Sequence, residues 1–185
     1  MRTVGLIPAR CGSVRLPNKN TKLLLGKPLV QWTIEAARKS WLDDVYVSSN
    51  AIEVRELASL LGVNFIHRPD ELCGEMSTSL EVIEHAIPRM SLGNHTDRIM
   101  LLQPTSPLRT ASHIDDVLDI GRTSISVYQH GDYYLRNGAI YLMNRDALME
   151  FETCYVMPED ISVDIDTLVD FQRAEKWMTE HGYPV

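Results

Sequence analysis

The first thirty-four residues of this 185-residue chain contain no Asp or Glu, although the whole chain carries 25 acidic against 18 basic side chains, a net charge of -7. Other scarcities remove whole classes of protein. The three cysteines, Cys11, Cys73 and Cys154, lie far apart without C-x-x-C spacing, which argues against a disulfide scaffold or structural zinc and for a reducing compartment. The six His residues show no H-E-x-x-H spacing, and none is tied to a cysteine by a recognisable pattern, so zinc hydrolysis and a Cys nucleophile are both unsupported. There is no G-K-[ST] loop and no G-x-G-x-x-G fingerprint. No apolar run approaches a membrane span and no signal peptide precedes the first strand, so the expected location is cytoplasmic. Repeats, low-complexity tracts and linkers are also missing, and 44% hydrophobic with 23% charged residues fits one ordinary globular domain over residues 1–185.

The acid-free stretch holds six cations, Arg2, Arg10, Arg15, Lys19, Lys22 and Lys27, leaving -13 for the remainder. Far-field attraction of a polyanion such as nucleic acid needs net positive charge, so this distribution predicts a local positive well instead. Thr3 to Ala9 is short, apolar and partly β-branched, and reads as a buried strand. Its end runs into I-P-A-R-C-G-S-V-R-L-P-N-K-N, residues 7 to 20. Gly12 permits a positive φ and Pro17 fixes another dihedral, so backbone amides and cations are able to face one ligand. Arg10 offers a planar fork and Lys19 a point charge for phosphate oxygens. At an effective dielectric of about 20, each close ion pair is worth roughly 4 kcal/mol before desolvation, so two or three such cations suffice for a triphosphate. Cys11 in this loop is expected to be a small filler, with thiolate reactivity as the other reading.

Downstream, apolar strand-like runs alternate with helical periodicity, the pattern of a mainly parallel α/β sheet with crossover helices. Strands are expected near 44–49, 63–66, 98–102, 124–128 and 138–143. Helices are expected near 29–39 and 52–61, from a Thr78/Glu81 capping box through Ile87, over 112–120, and from a Thr167/Asp170 capping box to about His181. Ligands of open α/β sheets bind beyond the carboxyl ends of strands. Arg10, Arg68 and Gln103 all fall there, and Gln103 is a polar group where a buried strand emerges.

Asp164-Ile165-Asp166 reads as a strand segment whose two carboxylates share one face, their Cα atoms about 7 Å apart, with Ile165 turned inward. Hard oxygen ligands of this kind, completed by phosphate and water, favour Mg²⁺.

These segments together resemble the CMP-sialic acid synthetase family, the cytidylyltransferases that activate nonulosonic acids. The likeness runs nearly end to end. Besides residues 7 to 20, it rests on G-K-P-L-V-Q-W-T-I-E-A-A from Gly26 to Ala37, R-P-D-E-L from Arg68 to Leu72 and L-L-Q-P-T-S-P-L-R-T from Leu101 to Thr110. R-N-G-A-I-Y from Arg136 to Tyr141 and S-V-D-I-D-T from Ser162 to Thr167 complete it. The resemblance implies a single-domain Rossmann-like, GT-A-like nucleotidyltransferase fold with helices on both faces. It also implies transfer of CMP from CTP to the anomeric hydroxyl of an acidic sugar, with release of pyrophosphate. Arg10, Lys19, Gln103 and Asp166 would be catalytic. Ala9, Arg10, Gly12, Ser13, Arg15, Lys19, Asn20, Arg68 and Ser79 would hold the nucleotide, Gln103, Arg136 and Asn137 would face the sugar, and Asp164 and Asp166 would bind Mg²⁺. A related enzyme for the eight-carbon acid Kdo is the alternative, although such relatives usually have Lys-Pro where this chain has Lys19-Asn20. A catalytically silent nucleotide-binding remnant is a third.

The chain departs from the family between Gln129 and Arg136, where relatives carry a long dimer-forming excursion and this sequence has only H-G-D-Y-Y-L, residues 130 to 135. The dimer and the identity of the sugar are therefore left open. Tyr133 and Tyr134 either stack on an apolar sugar face or pack the hairpin.

Overall fold

The apolar runs become the interior of a seven-stranded sheet in the computed structural model, which describes residues 1–93 and 97–183. In chain order the elements begin with β1 (Thr3–Pro8), a small antiparallel pair β2 (Leu23–Leu24) and β3 (Lys27–Pro28), and α1 (Leu29–Lys39). Then come β4 (Asp44–Ser49), α2 (Ile52–Leu60), β5 (Asn64–His67), α3 (Ser79–Ala86), β6 (Arg98–Leu102) and α4 (Ala111–Ile120). The chain closes with β7 (Ser124–His130), β8 (Tyr133–Asn144), β9 (Thr153–Val156) and α5 (Leu168–Glu180). The order across the large sheet is β5-β4-β1-β6-β8-β7-β9. Neighbours run parallel except at β8, which is antiparallel to both β6 and β7.

Alternation along the central strands feeds two apolar layers. Val4 and Leu6 of β1, with Ile99 and Leu101 of β6, pack on the face covered by Ile83 of α3. Ile7, Met100 and Leu102 point the other way, into a larger core closed by Trp32 of α1, Val54 of α2, Ile114 of α4 and Phe171 of α5. Both faces are buried, which is why these strands read as continuous apolar runs.

The Thr78/Glu81 and Thr167/Asp170 capping boxes form as expected. Helix α4 begins one residue earlier than expected: the Thr110 amide donates to His113 Nδ1 at 3.2 Å, so the cap lies before Ser112. Two expectations are corrected. The strand expected over 138–143 is the far half of β8, which starts at Tyr133 and closes a tight hairpin in which His130 pairs with Tyr133. The Asp164-Ile165-Asp166 segment is not a strand. It is an extended loop that makes a backbone bond to Thr105, Ile165 N–H to the Thr105 carbonyl at 2.8 Å. Inward and outward alternation survives because Val163 and Ile165 are buried. Strand β9 and the β2/β3 pair gave no signal of their own, being only four and two residues long.

Candidate active site

Three parallel strands, β1, β4 and β6, deliver their carboxyl ends to one edge of the sheet, and the acid-poor loop is folded over that edge by polar contacts. Ala9 N–H donates to the Ser48 carbonyl at 2.9 Å, and Asn50 Oδ1 accepts from Cys11 N–H at 3.0 Å. Gly12 then turns at φ 74 with nothing within 4 Å of where a Cβ would be. The buried Asn20 donates from Nδ2 to the Arg10 carbonyl at 2.9 Å, tying the end of the loop to its beginning. Arg10 in turn donates to the Cys73 carbonyl at 2.8 Å.

Arg68 enters from the end of β5 and is buried, donating through Nε to Ser48 Oγ and through a terminal nitrogen to the Ser48 carbonyl at 2.7 Å. Burial, with Arg10 adding to it, pulls its pKa down to about 10, so it remains a cation at neutral pH. A cavity of about 170 Å³ opens between these groups, lined by Arg10, Ser13, Lys19, Asn20, Arg68, Ser79 and Gln103 among others. Seven of the residues singled out in the sequence thus meet at one cleft.

The acidic loop closes one edge of this cleft. Lys19 Nζ lies 3.0 Å from Asp166 Oδ1 and 2.8 Å from the Ile165 carbonyl, while Arg15 reaches Asp166 Oδ2 at 3.0 Å. Asp164 faces Gly138, whose φ of 74 brings the backbone close: a Cβ there would sit 3.8 Å from Asp164 Oδ2. The Asp164 carboxylate is pushed above its ordinary range, first by desolvation and then by Asp166 and Asp170, with Thr105 and Lys19 acting in the opposite sense. A carboxylate in this state beside a second one is a donor set that a divalent cation relieves. No cluster of three or more His, Cys, Asp or Glu side chains suited to a metal exists among the described residues. The pair suits a hard divalent cation that keeps water and phosphate in its shell rather than a closed protein cage.

Other expected residues lie elsewhere. Asn137 is buried with its amide engaged internally: Oδ1 accepts from Ser126 Oγ at 2.6 Å and Nδ2 donates to Ser162 Oγ at 3.0 Å. It holds β8 to β7 and to the acidic loop and does not face the cleft. Arg136 is exposed; burial and then Asp164 push the Tyr141 phenol up, and Arg136 opposes them. Tyr133 and Tyr134 are 73% and 58% exposed, so packing of the hairpin is not their role. Cys11 is exposed, with Asn50 Nδ2 2.9 Å from its sulfur, which corrects its reading as a small filler.

Sequence reasoning missed Arg109. It is fully buried with no carboxylate bonded to it, and burial pulls its pKa down to about 9. One terminal nitrogen donates to the carbonyls of Gln103 at 3.1 Å and Ala139 at 2.8 Å, the other to Thr33 Oγ1 at 2.7 Å. It pins the loop after β6, and with it Gln103, onto β8 and α1. The available signal was a cation directly after the apolar Pro107-Leu108 in a run that enters the core.

The family model described as Cytidylyltransferase matches residues 4–126. The N-acylneuraminate cytidylyltransferase of Escherichia coli O18:K1:H7 is 31% identical over 220 residues, covering 94% of this chain and 52% of that protein. The CMP-N,N'-diacetyllegionaminic acid synthase of Legionella pneumophila is 30% identical over 224 residues, covering 96% of this chain and 97% of its own. The chain thus spans about half the length of the first relative and nearly all of the second. Since 96% of 185 residues is about 178, an alignment over 224 leaves about 46 positions without a counterpart here. The structure of CMP:2-keto-3-deoxy-manno-octonic acid synthetase complexed with CTP superposes with a TM-score of 0.77 at 16% identity, covering 98% of this chain and all of that one, a likeness of fold.

Proposed function

The chain belongs to the cytidylyltransferase family, and from that premise we propose that it transfers CMP from CTP to the anomeric hydroxyl of a nonulosonic, sialic-like acid, releasing pyrophosphate. The observation that carries this reading is the convergence of Arg10, Ser13, Lys19, Asn20, Arg68, Ser79 and Gln103 on one cleft with Asp166 at its edge. Nucleotidyl transfer of this kind needs positioning and charge neutralisation more than a covalent intermediate. Arg10 and Lys19 bind the triphosphate and neutralise the charge that grows on the departing pyrophosphate. The Gly12-Ser13 turn and Arg15 support them, with the Ala9 backbone at the start of the loop. Asn20, Arg68 and Ser79 hold the nucleoside end, and Gln103 orients the sugar against the α-phosphorus, with Arg136 as a cation for its carboxylate.

Asp164 and Asp166 would hold Mg²⁺, which when bound lowers the pKa of a ligated hydroxyl and screens phosphate charge. In the free protein Lys19 and Arg15 neutralise Asp166. A triphosphate entering beside Lys19 competes for the same two cations, so the carboxylate is released toward a metal as the nucleotide arrives.

Asn20 favours a nonulosonic acid over Kdo. Its amide ties the loop to the Arg10 carbonyl at 2.9 Å, a bond a proline in that place is unable to make. On this reading the roughly 46 absent positions belong at the β7–β8 turn, where only Gly131 and Asp132 separate the paired His130 and Tyr133. The chain, read as a single domain, then retains the catalytic floor without the dimer-forming excursion.

Pyrophosphate release from CTP and Mg²⁺ with a panel of nonulosonic acids and Kdo tests the proposal, with Asp166→Ala as control. Release with a nonulosonic acid, lost in the variant, supports it. Release with Kdo alone selects the other sugar class, and CTP binding without release from any pair selects a silent remnant.

A further inference from the structure

Between α1 and the start of α4 lies another cavity of about 350 Å³, twice the volume of the catalytic cleft and sharing no lining residue with it. It is lined by Lys27, Trp32, Glu35 and Lys39 from α1 and its approach, by Pro107, Arg109 and the first residues of α4, and by Tyr183. Nothing in the proposed transfer reaction uses it. One wall is aromatic, with the Trp32 and Tyr183 rings 5.9 Å apart and tilted at 57°. Opposite stands the start of α4, a ten-residue helix whose Ala111 and Ser112 amides lack intrahelical acceptors by their position.

Charge in the cavity is positive, against the acidity of the whole chain. Among the described residues Glu35 is the only acid lining it; it pairs with Lys27 at 3.0 Å and is also stabilised by Lys39, so three cations, Lys27, Lys39 and Arg109, meet one carboxylate. Arg109 is 2% exposed, and its Nε is buried without a hydrogen-bond partner. A helix start and a buried cation with a spare donor lining one cavity are a setting for an anion. An aromatic wall beside it favours a ring on the same molecule.

The geometry points to a second ligand site here, for a small organic anion: a planar ring seated against Trp32 and Tyr183, bearing a phosphate or carboxylate held by the α4 amides, Arg109 and Lys39. Occupancy is communicated to the catalytic cleft through Arg109, because the same guanidinium donates to the Gln103 carbonyl at 3.1 Å. Drawing that guanidinium toward an anion loosens its hold on Gln103.

Calorimetric titration of the intact chain with phenyl phosphate and with benzoate tests the site, using phenol and inorganic phosphate as the ring-only and anion-only probes. Saturable 1:1 binding of at least one ring anion is expected, with both part-probes at least about tenfold weaker, since each lacks one half of the recognition. Ala111→Pro removes one amide donor at a helix position that accepts proline, and Lys39→Glu reverses one charge. Each is expected to weaken binding by about two- to fivefold or more without lowering the thermal midpoint. Lys19→Met, which empties the cleft of its central cation, is expected to leave this binding unchanged. Absence of saturation, indifference to both Ala111→Pro and Lys39→Glu, or loss in Lys19→Met instead would overturn the assignment, the last by placing the anion in the catalytic cleft.

Discussion

Lys19 and Asp166 are joined at 3.0 Å across 147 residues of sequence, and the Lys19 amine also bonds the Ile165 carbonyl at 2.8 Å. A cation of the acid-poor loop is thus held in place by the acidic loop at the edge of the cleft. Its position is fixed before any nucleotide enters, which reduces the reorganisation needed at the moment of reaction.

Lys19→Met is expected to lower kcat by roughly 10²–10³, the usual loss for one well-placed electrostatic group. Stability should change by no more than about 1 kcal/mol, because the Asp166 side chain is 37% exposed and solvent screens the pair. Steady-state rates and thermal melts of the same preparations separate the two effects. Lys19→Arg is not expected to rescue, since a planar fork does not reproduce a point charge reaching both oxygens.

Metal affinity should depend on the nucleotide. With Lys19 and Arg15 both on Asp166, free Mn²⁺ titrated into the protein alone and followed by its EPR signal is expected to bind weakly. Saturating CTP should tighten binding by at least about tenfold, a coupling within the ordinary range for linked sites. Equal affinity with and without CTP would refute the exchange of partners at Asp166.

Arg109 should behave as a positioning residue. Arg109→Met leaves the buried carbonyls of Gln103 and Ala139 and the Thr33 hydroxyl short of a donor, a loss of roughly 3 kcal/mol in chemical denaturation. In the folded fraction, KM for the sugar and kcat should worsen while CTP affinity holds, because the Gln103 loop moves and the phosphate loop does not. A parallel loss of CTP binding would show general collapse instead.

Much of this architecture was legible because its causes are local. Strands β1, β4 and β6 are continuous apolar runs since helices cover both faces, and the capping boxes of α3 and α5 are written in four-residue patterns. Arg10, Lys19 and Gln103 were marked by polar chemistry at strand ends. Asn137 was misread because its neighbour Arg136 is exposed while it is buried, and only tertiary contact with Ser126 and Ser162 distinguishes the two. Arg109 escaped for the same reason: each of its acceptors is remote or backbone. The second cavity depends on α5 carrying Tyr183 back to Trp32, a long-range meeting with no local signature.

The cap of α4 gives the fold a pH dependence of its own. His113 Nδ1 accepts the Thr110 amide at 3.2 Å, which requires the neutral ring. Burial pulls the His113 pKa below its ordinary value, Asp116 opposing this and Arg109 adding to it, while the Tyr155 ring stands 6.4 Å away. Because the folded pKa is lower than the unfolded one, the contribution is fully present above the unfolded value near ~6.5 and is lost as pH falls from there through the folded value. Denaturation midpoints of the native chain should therefore decline below about pH 6.5 more steeply than those of His113→Gln, which keeps an acceptor but does not titrate in that range. The divergence is expected to reach about 1 kcal/mol, the ordinary worth of a helix cap. Parallel curves for the two proteins would mean that the acid sensitivity lies in another group, with the buried-side His85, also shifted downward, as the next to replace.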